Sequence, residues 1–173
     1  MVELMDLTHK LFDKIFEGIV DFAVRVNGNQ LGTGGALCVM LPEIGSAPEL
    51  LLTIKFPGIQ KALAALTPFG QVCRIEVFTA VQFFSITDRE DTIQQERHVL
   101  EAVPFSFRPA EVHSGDKLPG SLIRYRVTRY NAYVDGEPVW EIDVPNRKCV
   151  INGEDYSKEM CGWFMECPTA GRR

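Results

Sequence analysis

The chain has 173 residues, of which 46% are hydrophobic and 24% charged. This length and composition predict one globular domain over residues 1–173 and exclude a wholly disordered chain. The 18 basic and 23 acidic side chains give a net charge of -5, which argues against a dedicated nucleic-acid binder, because such proteins carry an excess of basic residues. No apolar run reaches the ~18 residues that a membrane helix needs, and no secretory signal pattern opens the sequence, so we expect no membrane contact.

The first 35 residues contain three different patterns. Apolar residues recur every three or four positions between Leu4 and Phe22, and this spacing predicts an amphipathic helix over residues 4–23. From Phe22 to Val26 apolar and polar residues alternate, which indicates a strand that ends at Asn27-Gly28. Four glycines in residues 27–35 predict a loop, but no Lys-Ser or Lys-Thr follows them, so a phosphate-binding loop is not indicated.

The rest of the chain is rich in β-forming residues separated by turn signals. We expect a charged, polar link over residues 87–97 and a loop over residues 109–120, and Asp135-Gly136 is a strong hairpin signal. A short helix is expected over residues 59–66, ended by Pro68 and Gly70. Strands are expected over residues 36–41, 50–56, 72–86, 99–108, 122–134 and 138–143. Repeated turns between strands favour a mainly β fold, a β-sandwich or partial barrel with a short flanking α-helix.

The sequence offers no recognisable active site. The three histidines, His9, His98 and His113, lie in different segments, and none has a cysteine or carboxylate partner at a known metal-ligand spacing. Neither HExxH nor GxSxG occurs. We therefore predict no catalytic residues, no metal site, no cofactor and no enzymatic activity.

Five cysteines are present, and their spacing fits no zinc pattern, because no CxxC occurs. They are either free thiols in a protein made in the cytoplasm or disulfides formed later in an oxidising environment. In the second case the odd number leaves one cysteine free or paired between subunits. The residues concerned are Cys38, Cys73, Cys149, Cys161 and Cys167.

An ordered set of turn and strand motifs resembles one known family. The second half of the chain carries, in order, Tyr130, Tyr133, Asp135-Gly136, Val139, Glu141-Ile142-Asp143, Asn146 and Ile151-Asn152-Gly153-x-Asp155. Upstream, Gly34-Gly35 precedes two expected strands, and the expected helix opens after Phe56-Pro57-Gly58. Over roughly residues 32–163 this order and spacing resembles the major tail tube proteins of contractile-tailed phages and R-type pyocins. Two departures are the helical pattern near the start, where the family has a short strand, and the extension over residues 164–173.

The resemblance implies a structural protein of the tail-tube type. Six copies would form a ring, and stacked rings would form a hollow tube within a contractile sheath that conducts DNA into the host cell. The implied partners are other copies of the chain, the tail sheath, baseplate and tail terminator proteins, and the tape measure protein and transiting DNA in the lumen. The implied location is the virion tail, assembled in the host cytoplasm. The alternatives are the tube of a tailocin or secretion system without a genome, and a small-ligand-binding β-barrel.

Candidate residues follow from this expectation. A wall with the sign of DNA avoids the ion pairs with phosphates that hold DNA on a protein surface, so carboxylates near the expected long hairpin are candidates for the lumen: Glu76, Asp88, Glu90, Asp91, Glu96 and Glu101. Loop glycines and large aromatic residues are candidates for contacts between subunits: Gly34, Gly35, Tyr130, Tyr133 and Trp140. The alternative for the aromatic residues is a place in the subunit's own core.

Overall fold

The computed structural model describes residues 13–31, 37–45, 49–58, 61–109 and 120–159. Within them, ten strands and one short helix form a mainly β protein, as predicted. The elements are β1 Lys14–Val26, β2 Asn29–Leu31, β3 Cys38–Met40, β4 Leu51–Phe56, α1 Lys61–Leu66, β5 Cys73–Ser85, β6 Asp91–Arg108, β7 Ser121–Val134, β8 Glu137–Asp143, β9 Lys148–Ile151 and β10 Glu154–Asp155. All the pairings between strands are antiparallel.

The strands form one open sheet, which branches at β7. The order across the sheet is β10-β9-β8-β7-β6-β5-β1-β2, and β3 pairs with β4 beside it. One edge of β7 pairs with β6, while its other edge is shared by β4 along residues 121–126 and by β8 along residues 129–134. Two register shifts between β6 and β7 increase the local bend, because an extra residue in one strand makes it turn.

The sheet curls around one hydrophobic core. Leu31 at the end of β2 and Cys149 on β9 belong to the same buried cluster, although they lie near opposite ends of the strand order. Tyr125 and Tyr130 are its largest fully buried side chains, and Leu63 joins it from α1. Strands from both ends of the sheet can share one core only if the sheet curves, so the described residues form a partly closed layer around their own side chains.

Asn27 fixes α1 against the sheet. Its side-chain amide donates to the carbonyl of Leu66 at 3.2 Å, and its side-chain oxygen accepts from the backbone N–H of Arg74 at 2.9 Å. At the end of the helix, the Thr67 hydroxyl donates to the Leu63 carbonyl at 2.7 Å. One turn residue therefore joins β1, α1 and β5, and it holds Leu63 over the core.

Three strands continue beyond the core as an extension, formed by residues 14–23 of β1, 78–85 of β5 and 91–97 of β6. The turn over residues 86–90 closes its far end. The Asp13 carboxylate accepts hydrogen bonds there from the Ser85 hydroxyl at 2.7 Å and the Thr87 backbone N–H at 2.8 Å. Hydrogen bonds from Thr87 and Ser85 lower the pKa of Asp13, because they stabilise its charged form.

The prediction of a helix over residues 4–23 is wrong from Lys14 onward, because β1 is a strand. Its pairing with β5 shifts register between Phe16 and Gly18 and again between Ile19 and Asp21. Each bulge adds one residue, so Phe16, Ile19 and Phe22 share a face at a spacing of three, which imitates a helical period. The part over residues 4–12 lies outside the described residues.

Two further boundaries differ from the prediction. The polar link expected over residues 87–97 is shorter, because β6 begins at Asp91 and only residues 86–90 form the turn. The loop expected over residues 27–35 contains the Asn27-Gly28 turn and strand β2. Residues 110–119 of the expected second loop and the extension over residues 164–173 lie outside the described residues.

Two neighbouring leucines of β4 test which face of that strand is buried. Leu52 is 0% exposed, whereas Leu51 is 39% exposed on the opposite face. Leu52→Ala is expected to lower the free energy of unfolding by about 2–5 kcal/mol, because it removes buried methyl groups and leaves a cavity. Leu51→Ala, measured beside it by urea denaturation, should lower it by less than about 1 kcal/mol. Equal losses would contradict the register of β4.

Candidate assembly surfaces

The face of β1, β5, β6 and β7 opposite the core carries charged residues and is called the polar face. Glu76 lies at its centre and is bound by two arginines. The Arg74 Nε atom lies 2.8 Å from Glu76 Oε1, and the Arg97 Nη2 atom lies 3.4 Å from Glu76 Oε2. Burial alone would raise the pKa of Glu76, but the hydrogen bonds and charges of Arg74 and Arg97 outweigh it and lower that pKa.

Arginine and aromatic side chains form a row across the same face. Phe78, Arg97 and Tyr133 are successive cross-strand partners on β5, β6 and β7. The Arg97 guanidinium lies 5.6 Å from the Phe78 ring centre and 5.9 Å from that of Tyr133, and Arg25 lies 5.1 Å above Phe78. These distances allow cation–π attraction, which holds the arginines flat against the sheet.

The outer strands continue this pattern of compensated charge. Arg129 on β7 lies 3.1 Å from the Asp143 carboxylate on β8 and 3.6 Å from that of Glu101 on β6. Lys148 on β9 lies 3.0 Å from Glu141 on β8. Near the core, the polar face therefore carries cross-strand ion pairs and is not uniformly acidic, whereas along the extension it also presents the exposed side chains of Ile15 and Ile93.

The six carboxylates proposed for the lumen do not share one location. The register places Glu76, Asp91 and Glu101 on the polar face. Glu96 lies on the opposite face, where it accepts a hydrogen bond from the Thr79 hydroxyl at 3.2 Å. Asp88 and Glu90 lie in the turn at the far end of the extension. The six therefore cannot all line one face of the sheet, because Glu96 points away from the other strand residues.

The other face of the extension is apolar and largely uncovered. Phe16 is 60% exposed and Ile19 is 59% exposed, and both line a groove of about 410 Å³ with Val39, Val81 and Phe83. Within the described residues, β1 pairs along its outer edge only at residues 24–26, with β2. Among the described residues, no strand therefore pairs with this edge of residues 14–23, which lies beside exposed apolar side chains; we call it the free edge of β1. A strand edge without a partner readily pairs with another chain.

A buried polar network closes the inner end of this groove. His98 is 7% exposed, and its Nδ1 atom lies 3.0 Å from the Tyr130 hydroxyl. Its Nε2 atom lies 3.6 Å from Glu96 Oε2, and the other carboxylate oxygen, Oε1, accepts a hydrogen bond from Gln94 at 2.9 Å. Burial lowers the pKa of His98, although the charge of Glu96 opposes this, so the neutral imidazole is favoured at neutral pH.

The structure separates the residues proposed for subunit contacts. Tyr130 is buried in the core of its own chain, so it cannot act as the surface anchor that was predicted. Trp140 is partly buried against that core, and its ring meets Tyr130 edge-on at 5.6 Å. Tyr133 lies on the polar face beside Arg97. Gly34 and Gly35 lie outside the described residues.

The described cysteines are free thiols. Cys73 and Cys149 are buried in the core, and burial raises the pKa of both thiols. Their burial makes these two thiols poor candidates for disulfides between subunits. Cys38 is exposed on β3, and Cys161 and Cys167 lie outside the described residues.

Neither a membrane-spanning helix nor a metal-binding cluster occurs among the described residues. Among residues 13–31, 37–45, 49–58, 61–109 and 120–159, none of the helices has the length and hydropathy needed to cross a membrane. The same residues contain no cluster of three or more histidine, cysteine, aspartate or glutamate side chains arranged to hold a metal ion.

Sequence reasoning missed the free edge of β1 and the arginines around Glu76. The sequence signals for a bulged strand were Gly18 and the β-branched residues Ile15 and Val20. In the structure, Gly18 has a φ of 151°. The arginine cluster had no signal in the sequence, because Arg25, Arg74 and Arg97 come from three distant segments that only the sheet register joins.

The buried histidine predicts a pH dependence of stability. Because the folded chain holds the pKa of His98 below its usual value of 6.5, the unfolded chain takes up this proton first as the pH falls. The stabilisation is therefore complete above about pH 6.5 and is lost as the pH falls through the lowered value. His98→Gln should flatten the decline in unfolding free energy between pH 7 and 5, by at most about 1.4 kcal/mol per pH unit. Parallel curves for the two proteins, measured by urea denaturation, would contradict this.

A search of curated proteins returns no significant match to the chain. A family model described as phage tail tube protein FII matches residues 21–161, which cover β1 from Asp21 onward and every later described element. This range includes the curled sheet, the polar face and most of the extension. The chain therefore belongs to the phage tail tube protein FII family and is a structural component of the virion tail.

Proposed function

We propose that six copies of the chain join edge to edge into a ring, and that stacked rings form the tube of a contractile phage tail, which conducts DNA into the host cell. The observation that carries this proposal is the free edge of β1 over residues 14–23 beside an exposed apolar face. Family membership supports self-assembly into a tube and association with other tail components. The number of copies in a ring, the contractile sheath and the conduction of DNA are proposed here beyond what family membership supports.

The extension has the two different edges that a closed ring requires. On one side, residues 14–23 of β1 lack a neighbouring strand within the described residues. On the other side, β6 pairs with β7 only from Glu96 onward, and Gln95 exchanges hydrogen bonds of 2.8 Å with Asp135. Residues 91–94 therefore have no partner on that edge in the part of the chain that the structure describes. Placing β1 of one copy beside residues 91–94 of the next gives a head-to-tail interface that closes by rotation.

The apolar face supplies a driving force for such assembly. Phe16 and Ile19 on this face are each more than half exposed in the single chain. Burial of apolar surface is favourable by about 25 cal/mol per Å², and an exposed apolar strand edge otherwise favours irregular aggregation. A neighbouring copy that covers this face buries the apolar side chains and protects the strand edge from irregular aggregation.

We place the polar face toward the lumen, because the other side of the sheet is filled by the core near α1 and is apolar along the extension. A hydrated, charge-compensated wall offers few free cations to the phosphates of passing DNA. The outer surface of the ring is then left for the tail sheath, the ends of the tube for baseplate and terminator proteins, and the lumen for the tape measure protein. Assembly takes place in the host cytoplasm.

A tube without a genome, as in a tailocin or secretion system, uses the same ring. Genes for a capsid and portal beside the gene for this chain, and DNA in particles that contain it, distinguish the phage tail from that alternative. A small-ligand-binding β-barrel is less compatible with the structure, because the inside of the curled sheet holds the packed core that includes Tyr125 and Tyr130.

Negative-stain electron microscopy of the purified chain tests the ring directly, and Ile19 gives the sharpest variant. Wild-type protein is expected to form rings or hollow tubes of six-fold symmetry. Ile19→Lys should abolish them, because it places a charge on the apolar face beside the free edge. Its thermal unfolding midpoint should stay within about 2 °C of the wild type, because the side chain is exposed.

Two controls complete the test. Ile19→Val keeps an apolar side chain and should still assemble. Phe69→Lys changes an equally exposed residue outside the extension and should also assemble. Rings formed by Ile19→Lys would overturn the use of this edge, and loss of rings in reductant would instead assign the contact to disulfides between subunits.

A further inference from the structure

Glu76 is paired with two arginines, and a third lies opposite it on the neighbouring strand. Arg25 is its cross-strand partner on β1, Arg74 lies two residues before it on β5, and Arg97 reaches it from β6. The Glu76 side chain is 17% exposed, whereas those of Arg74 and Arg97 are 55% and 46% exposed. The carboxylate is thus enclosed by guanidinium groups that remain accessible to solvent.

The arginines are also held in place by rings. Phe78 lies below Arg25 and Arg97, and Tyr133 supports Arg97 from the other side. A guanidinium that stacks on a ring keeps its donor N–H groups free in the plane, where they match phosphate oxygens. Arg25 and Arg97 stack in this way, whereas Arg74 is held by its ion pair with Glu76. Together the three guanidinium groups form a surface suited to the phosphate backbone of a nucleic acid, which Glu76 neutralises in part.

We propose that Glu76 masks a binding surface for the phosphates of double-stranded DNA, formed by Arg25, Arg74 and Arg97, and thereby keeps DNA mobile along the polar face. This inference rests on the proposed function, in which the polar face lines the lumen and meets DNA. In this role Glu76 acts by forming ion pairs with arginines, and not by repelling DNA as part of an acidic wall.

The test compares Glu76→Gln with the wild type in the full chain, kept unassembled at low concentration and checked by size-exclusion chromatography. The probe is a short, fluorescently labelled DNA duplex, and binding is measured by anisotropy over a range of salt concentrations. Glutamine keeps the shape of glutamate and one oxygen acceptor for Arg74, so the fold should remain, which thermal unfolding verifies. The variant should bind DNA at least about tenfold more tightly, with a steeper loss of affinity as salt increases.

Glu90→Gln is the matched control, because it changes the net charge equally but lies in the turn at the far end of the extension. It should alter DNA affinity by less than about twofold. Adding Arg97→Gln to Glu76→Gln should remove most of the gain. The proposal is overturned if Glu76→Gln binds no more tightly than Glu90→Gln, or if the double variant keeps the full gain.

The unassembled chain separates this inference from the proposed function. Failure of rings to form under the microscope overturns the proposed function without changing the DNA affinity of the single chain. Conversely, if rings form normally but Glu76→Gln binds no more DNA than the wild type, the masking role is overturned and the proposed tube stands.

Discussion

The length of β5 is the constraint on which the rest of the structure depends. β5 pairs with β1 along one edge and with β6 along the other, from the core to the turn at residues 86–90. Only the half of β5 near α1, with Cys73, Ile75 and Val77 buried, has a core to cover. The hydrogen-bonded strands that organise the core therefore continue beyond it as a three-stranded sheet. This extension has two faces and two strand edges that the core does not cover.

The two faces of that sheet are stabilised in different ways. The polar face satisfies its own charges, since Glu76, Glu101 and Asp143 each have an arginine within 4 Å. The apolar face leaves Phe16 and Ile19 exposed, although Val39 and Leu41 line the same groove and cover it in part. In the proposed ring, a second copy covers this exposed apolar face and pairs with the edge of β1 beside it.

The sequence predicted the turns of this fold better than its long strands. Asn27-Gly28, Asp135-Gly136 and Asn152-Gly153 all form turns with positive φ at both residues, because Asn, Asp and Gly tolerate that conformation. The bulges of β1 produced a helical spacing, and the first residues of β6 are polar on both faces, so neither strand end was recognisable. The assembly surfaces were less predictable still, because the family resemblance does not reveal how the strands are paired. Only the register between β5 and β6 shows that Glu96 and Glu76 lie on opposite faces of the sheet.

Glu76 shows why net charge is a poor guide to a surface. A chain of charge -5 suggests an acidic wall, and Glu76 in isolation fits that view. In the sheet it faces Arg25, Arg74 and Arg97, so its removal exposes cations and does not merely weaken a repulsion. Screening limits exposed charges to effects over about 8–10 Å, and a phosphate at this wall therefore responds to the balance within the cluster. The spacing of charges along the strands, set by register, matters more to passing DNA than the total for the chain.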